Sequence, residues 1–413
     1  MKKRLVFILV FVASLAWAQT VRVPECGFWC QMGLAGRTPF RRAVPQIGNY
    51  WLPRGVGVIA HGYDMAMAPN AWWPLTNVMP NHAMLDDIAQ HDIRIANIWV
   101  RVNPFDGTAR WCNEQWWPYA GYVGTEMCRG NGTIVDEDMD LFWTSPDFDV
   151  LVIRFEAWAS TEEGCNGGES LVWEAEPTKG IVDTLYERYA EQNKIVIFQN
   201  WEADWQLHGV GCRDGDECVA FSERQYLDCD MEGLTSEECC SRITENRGRV
   251  LLRTLNERQM AIYEARQSHM DSALRVYHAV NINFYLDEEF TVAKDIIPQM
   301  DMKPDFVGVS HWRKPPVRVT DALGYVEAHT GLPRYRIYVS ELGSPERVDR
   351  PAYDRIMNEG TLAFEWGVPM VLIWHWKYWG DDERQQRLSL FETDNVTPTS
   401  GYWAVRELND TWR

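Results

Sequence analysis

Positive charge is scarce in this 413-residue chain: 40 Lys and Arg stand against 59 Asp and Glu, a net charge of −19. Such an acidic chain repels phosphate backbones, which argues against a nucleic-acid partner. Long apolar runs are equally scarce. Beyond the N-terminus no stretch reaches 18 consecutive apolar residues, so no bilayer span is expected in the mature protein. Internal repeats, low-complexity tracts and linkers are missing, while 46% apolar and 24% charged residues suit an ordinary globular core. Chemical signatures are missing too. There is no G-x-G-x-x-G after the first β-rich run, no P-loop, no H-E-x-x-H helix, no G-x-S-x-G elbow and no cysteine in a nucleophile context. The nine histidines share no ligand spacing. What the chain has in excess is tryptophan, 21 residues in all. A core does not need that many indoles, whereas a surface that stacks on the flat faces of sugar rings does.

The first residues read as an export signal. Lys2, Lys3 and Arg4 form a basic start, Leu5 to Ala13 an apolar run too short to span a bilayer, and Ala16-Trp17-Ala18 a small-x-small cleavage site. Residues 1–18 are therefore expected to be removed and the protein secreted, extracellular or periplasmic, with no membrane partner after cleavage. All ten cysteines lie beyond that point, which in an exported chain suggests up to five disulfides. Cys112 and Cys128 are placed to staple one loop, and Cys212 to Cys240 another. Asp214, Asp216 and Glu217 lie among the latter cysteines but lack a zinc or calcium spacing, so no metal is expected. Asn131, Asn395 and Asn409 begin glycan-acceptor triplets.

From residue 50 onward, short apolar runs alternate with helical patterns. The runs are Val56 to Ala60, Ile93 to Val100, Asp149 to Phe155, Lys194 to Gln199, Leu274 to Val280, Phe306 to Ser310, Arg336 to Ser340 and Met370 to Trp374. Helical stretches are expected at Asn81 to Gln90, around Ile181 to Tyr189, from about Ser241 to His269, and from Tyr402 to Leu408. Near-continuous apolar strands are those buried on both faces. Eight of them with helices between predict an α/β fold, a single (β/α)8 TIM barrel over residues 50–413. Residues 19–49 form an N-terminal extension, and long βα loops fall at about 103–147 and 203–240.

In such a barrel the site lies at the carboxyl ends of the strands. The fourth run ends in Gln199-Asn200-Trp201-Glu202-Ala203-Asp204-Trp205, the seventh in Ser340-Glu341-Leu342-Gly343. Glu202 and Glu341 thus sit on strands three apart in a ring of eight and can face each other across the mouth. Paired carboxylates of this kind suit glycosidic-bond cleavage, one protonating the leaving oxygen and the other attacking the anomeric carbon or activating water. A gap of about 5 to 5.5 Å corresponds to retention of configuration, and one of about 6.5 to 9.5 Å to inversion.

On Asn200-Trp201-Glu202, on Val339-Ser340-Glu341-Leu342-Gly343 and on Val371-Leu372-Ile373-Trp374, the chain resembles clan A of the retaining glycoside hydrolases, the group of many cellulases, mannanases and β-glucanases. The resemblance implies Glu202 as acid/base, Glu341 as nucleophile and Trp374 as floor of the sugar site. It also implies a raised pKa at Glu202, sustained by the charge of Glu341 until that residue is esterified. In one respect the chain departs from the clan: Trp201 stands between Asn200 and Glu202, where the clan has Asn directly before the acid. Glu156 and Asp204 are therefore reserve acids, and Asn200 reaches the sugar 2-OH only from a bulged backbone.

Further ligand candidates are Trp201, Trp205, His311, Trp312, Trp376, Trp379, Asn281 and Asn283, while His61, Asp64 and Arg101 are placed to orient carboxylates. The reading is a secreted, monomeric hydrolase of poly- or oligosaccharides that requires no cofactor. The alternative is a carbohydrate-binding barrel without turnover, which would use the same tryptophans.

Overall fold

The eight apolar runs form eight parallel strands. In the computed structural model they are β1 (Gly55–Ala60), β2 (Ile95–Ile98), β3 (Val150–Arg154), β4 (Ile195–Gln199), β5 (Arg275–Asn283), β6 (Phe306–His311), β7 (Ile337–Leu342) and β8 (Met370–Ile373). Each pairs with the next, and β8 pairs with β1, so the sheet closes into a barrel in sequence order. The structure describes residues 44–47, 50–52, 54–60, 81–98, 101–102, 108–110, 132–133, 140, 143–154, 175–200, 203–208, 236–283, 291–312, 317–343, 350–376, 389–392 and 396–413.

Alternation along each strand builds two cores. Inside the barrel, Ile59, Ile95, Val152, Ile197, Ala279, Phe306, Tyr338 and Leu372 are buried together, one or more from every strand. The residues between them, such as Val58, Ala96, Leu151, Phe198, Val280, Val307, Val339 and Val371, face outward and pack with the helices. Burial on both faces is why these strands read as unbroken apolar runs.

The outer layer includes α1 (Asn81–Gln90), α2 (Ala175–Tyr189), α3 (Ala203–His208), α4 (Ser236–Ser268), α5 (Val319–Thr330), α6 (Arg350–Trp366) and α7 (Ser400–Trp412). No described helix is long and apolar enough to cross a membrane. Between β5 and β6 the helical element is two short turns, Val292–Ile296 and Ile297–Gln299. The insertion after β2 contributes Thr108–Arg110 and Gly132–Thr133, which with Arg101–Val102 make a small antiparallel sheet. Val44–Ile47 pairs with Tyr50–Leu52, so the pairing crosses the boundary drawn at residue 49. Cys239 and Cys240 lie on α4, and the other eight cysteines lie outside the described residues. Asn409 is buried and its Nδ2 donates to Asp92 O at 3.3 Å, which removes it as a glycan acceptor.

Three strands outrun their sequence limits at the carboxyl end, β6 by His311 alone. β5 continues through Asn281 and Asn283, and β7 through Glu341 and Leu342. The apolar run stops where side chains begin to face the mouth, but the backbone ladder continues.

A buried polar knot ties α4 to the barrel wall. Asp305 accepts two hydrogen bonds from Arg266, both at 2.9 Å, and one from the His278 main-chain N–H at 3.0 Å. His278 Nδ1 lies 3.2 Å from Gln259 Oε1. Burial, reinforced by the positive charge of Arg258 and opposed by Asp305, lowers the His278 pKa to about 3. The unfolded chain, with an ordinary histidine, therefore binds more protons between pH 3 and about 6.5. The stability that neutral His278 contributes is complete above the unfolded value and is lost as pH falls. Between pH 7 and 5 this one group costs about 2 kcal/mol. Urea unfolding at the two pH values checks this: His278→Asn, which keeps a polar atom toward Gln259, is expected to lose about 2 kcal/mol less than the parent.

Candidate active site at the carboxyl end of the barrel

The site begins with a break in register. Val309 of β6 pairs with Val339 of β7, but the next residue, Ser310, pairs with Glu341. On the other side Val339 pairs with Val371 and Leu342 with Ile373, so β7 holds one extra residue against both neighbours. Such a bulge shifts the phase of alternation and re-aims a side chain. Tyr338 faces the interior core and Val339 the helices. Ser340 turns inward, where its hydroxyl donates to Asn281 Oδ1 at 2.5 Å. Leu342 is packed outward again. Glu341, in the bulge, is neither in the outer core nor fully sealed. It is 6% exposed and accepts a hydrogen bond from Trp312 Nε1 at 3.1 Å. Its negative charge also reaches the Tyr338 phenol inside the barrel.

One indole meets the carboxylate, and a second meets that indole. Trp312 follows the end of β6, and Trp374 follows β8, where it packs on the interior core. Their rings meet edge to face, with centroids 5.7 Å apart at 76°. Both are half-buried, so each retains an accessible portion.

Beneath Glu341 the barrel is polar. Tyr338 donates its hydroxyl to Gln199 Oε1, a bond across the barrel between β7 and β4. Burial, and after it the charge of Glu341, hold the phenol well above the usual tyrosine range, so it stays a donor. Asn281 of β5 reaches Ser340 of β7 across Gly308 of β6. A Cβ at Gly308 would lie 2.8 Å from Ser340 Cβ and 3.0 Å from the Tyr338 hydroxyl, so that reach requires glycine. Asn281 Nδ2, Ser310 Oγ and Asn283 Oδ1 are buried polar atoms with no hydrogen-bond partner among the described residues, and Ser310 is level with both Asn283 and Glu341. A polar ledge with unused donors next to a carboxylate is suited to a ligand's hydroxyl groups.

Several sequence candidates fall elsewhere. His311 is a correction: strand alternation turns it outward, where it is buried with Nε2 4.0 Å from Glu359 Oε2 on α6. Trp376 is another. It is 0% exposed, donates from Nε1 to Asp87 on α1 at 2.6 Å, and packs against His91 and Phe391. It has no face to offer a sugar. Asn200 is buried and spends its side chain on the next strand, Oδ1 accepting from the Asn281 N–H at 3.1 Å, which withdraws it from a sugar hydroxyl. The reserve acid Asp204 is also buried, its Oδ1 accepting from the Val292 N–H at 2.8 Å, which anchors the turn before β6. Trp205 lies on α3 and Arg101 in the small sheet. Glu202, Trp201, Glu156, His61, Asp64 and Trp379, like the acidic segment between Cys212 and Cys218, lie outside the described residues. Gln199, Ser310, Ser340 and Tyr338 were not picked from sequence, although a count of alternation from the interior residues would have turned each of them inward.

No protein-family model matches the chain, and no curated protein matches it. Solved structures do. The chain is similar to a GH5-4 broad specificity endoglucanase from Bacteroides salanitronis, at 12% identity over 86% of this chain and 92% of that one, with a TM-score of 0.47. It is similar to a GH5-4 broad specificity endoglucanase from Ruminococcus flavefaciens, at 10% identity over 86% and 94%, TM-score 0.47. A third is the catalytic domain of a hyperthermophilic chitinase from Pyrococcus furiosus, at 10% identity over 89% and 96%, TM-score 0.42. By their names these structural neighbours are two endoglucanases and a chitinase. At such identities and TM-scores they assign neither a substrate nor a residue to this chain.

Glycine substitutions test the packing under the site. Gly308→Ala is expected to cost about 1–3 kcal/mol by forcing Ser340 and Tyr338 apart. Gly324→Ala, on α5 with nothing within 4 Å of the new methyl, is expected to stabilise by roughly 0.4–1 kcal/mol. Denaturant midpoints of the two variants measure both.

Proposed function

We propose that the protein is a secreted glycoside hydrolase that cleaves a poly- or oligosaccharide with retention of configuration. The observation that carries this reading is the placement of Glu341. A bulge turns it into the barrel mouth, an indole N–H holds one oxygen, and a second indole stands beside it. A carboxylate held by a donor stays ionised and fixed in direction, as a nucleophile requires.

In the first step a Glu341 oxygen bonds to the anomeric carbon while the bond to the leaving oxygen breaks. That oxygen takes the proton of Glu202. In the second step Glu202 removes a proton from water, the resulting hydroxide bonds to the anomeric carbon, and the ester to Glu341 breaks, returning both side chains to their starting states. The Tyr338–Gln199 bond ties β7, which bears Glu341, to β4, which Glu202 follows in sequence. Trp374 is the platform for the sugar face, and Asn281, Asn283 and Ser310 offer polar atoms to its hydroxyls. Export, cleavage after Ala18, disulfide bonds and a monomeric state complete the proposal.

Reducing-sugar release on a broad glycan panel tests it, with the anomer first released followed by NMR. The parent is expected to release sugar with retained configuration, and Glu341→Gln to lower kcat by at least about 10³-fold. A parent that binds a glycan but releases nothing would make the protein a binding barrel instead, and a Glu341→Gln variant that keeps its activity would remove Glu341 from the reaction. An inverted product would remove Glu341 as nucleophile.

A further inference from the structure

We propose that Trp312 is a positioning residue for Glu341 and that Gly343 is the seat that makes this possible. The proposal rests on the reading of Glu341 as nucleophile and changes the role of Trp312, which the sequence offered only as a sugar contact.

The geometry is specific. A Cβ at Gly343 would lie 2.0 Å from Trp312 Cζ3, 2.2 Å from Cη2 and 2.6 Å from Cε3. The six-membered ring of the indole therefore rests directly on the Gly343 backbone, in space that any side chain would fill. From that seat the other end of the indole reaches back two residues along β7, and Nε1 donates to Glu341 Oε2 at 3.1 Å. Trp374 closes a third side with its edge-to-face contact.

The segment that carries Trp312 is itself pinned. Glu359 on α6 accepts from Arg318 Nη1 at 3.1 Å and from the Val319 N–H at 2.8 Å. The same carboxylate lies 4.0 Å from His311 Nε2. The residue before Trp312 and the start of α5 thus converge on one buried acid. Gly343 supports the indole from below and Trp374 from the side, while Glu359 holds the start of α5 and lies near the residue before Trp312.

A donor fixed to one carboxylate oxygen does two things. It favours the ionised form, which lowers the pH at which the group titrates, and it selects one rotamer. A sugar platform does neither; its loss weakens binding. The two roles are therefore separable. Trp312→Phe keeps an aromatic ring beside Gly343 but removes the N–H together with part of the bicyclic surface. It is expected to lower kcat by roughly 10- to 100-fold, to change KM little, and to move the acidic limb of the pH–rate profile upward. Gly343→Ala displaces the indole and is expected to act in the same direction. In a Trp312→Ala background there is no ring to displace, so Gly343→Ala is expected to have almost no further effect.

The test that needs no substrate is a carboxyl ¹³C NMR titration of glutamate-labelled protein. The Glu341 signal is assigned by its absence in Glu341→Gln, and cooperative melting shows that each variant is folded. The expected result is a Glu341 titration shifted to higher pH in Trp312→Phe and in Gly343→Ala. An unchanged titration in both folded variants overturns the proposal. So does a Gly343→Ala effect on that titration that is as large in the Trp312→Ala background as in the parent. Absence of turnover in the parent would instead count against the hydrolase reading and leave this titration to be judged by itself.

Discussion

One additional residue in β7 determines the chemistry available at the barrel mouth. Between Val339 and Leu342 the strand carries a residue that neither β6 nor β8 matches. Without it, strict alternation would put Glu341 among the helices with Val339, as a charge in an apolar layer costing several kcal/mol. With it, Ser340 and Glu341 are both available to the interior and Leu342 returns to the outer core. The bulge is held from both sides. Val339 and Leu342 are fully buried on the helical face, and Tyr338 is fully buried inside. Neither flank can shift by one residue without exposing apolar surface and burying a polar group, so the register is specified by the same burial that stabilises the barrel.

The barrel interior divides along its axis into an apolar layer and a polar layer. Toward the amino ends of the strands the interior is filled by Ile95, Val150, Ile195, Phe306 and Met370. Toward the carboxyl ends the same inward positions become Gln199, Asn281, Ser310, Ser340 and Glu341. The polar layer remains rigid because its members bond across strands, Tyr338 to Gln199 and Ser340 to Asn281, and because Gly308 leaves room for the second of these. Where those bonds end, at Asn281 Nδ2, Ser310 Oγ and Asn283 Oδ1, polar atoms remain without partners among the described residues. Under the proposed function, this unused capacity beside a carboxylate is what a ligand's hydroxyl groups would meet.

The barrel was legible in the sequence because burial on both faces writes continuous runs such as Ile195 to Gln199 and Met370 to Ile373. Helix α1 was legible to the residue, at Asn81–Gln90. Direction at the strand ends was not. His311 and Trp312 are adjacent and equally plausible as ligands, yet the ladder sends the first to Glu359 and leaves the second for Glu341. Trp376 follows β8 by three residues and turns under the wall to Asp87. Asn200 looked available for a sugar, but the main chain of Asn281 claims its amide. Gly343 carried no signal of its own, because its value lies in an indole supplied from another strand. Such features depend on which strands are neighbours and in what register, information that a local pattern does not hold.

The central claim is that Glu341 bonds covalently to the sugar. Mass spectrometry after incubation with a 2-deoxy-2-fluoro glycoside bearing a good leaving group tests it most directly, because such a probe forms the ester quickly and loses it slowly. The account predicts a single stoichiometric adduct on the peptide containing Glu341, released on addition of an acceptor. An adduct on a different residue, or full turnover of the probe's parent sugar with no adduct at all, would contradict it.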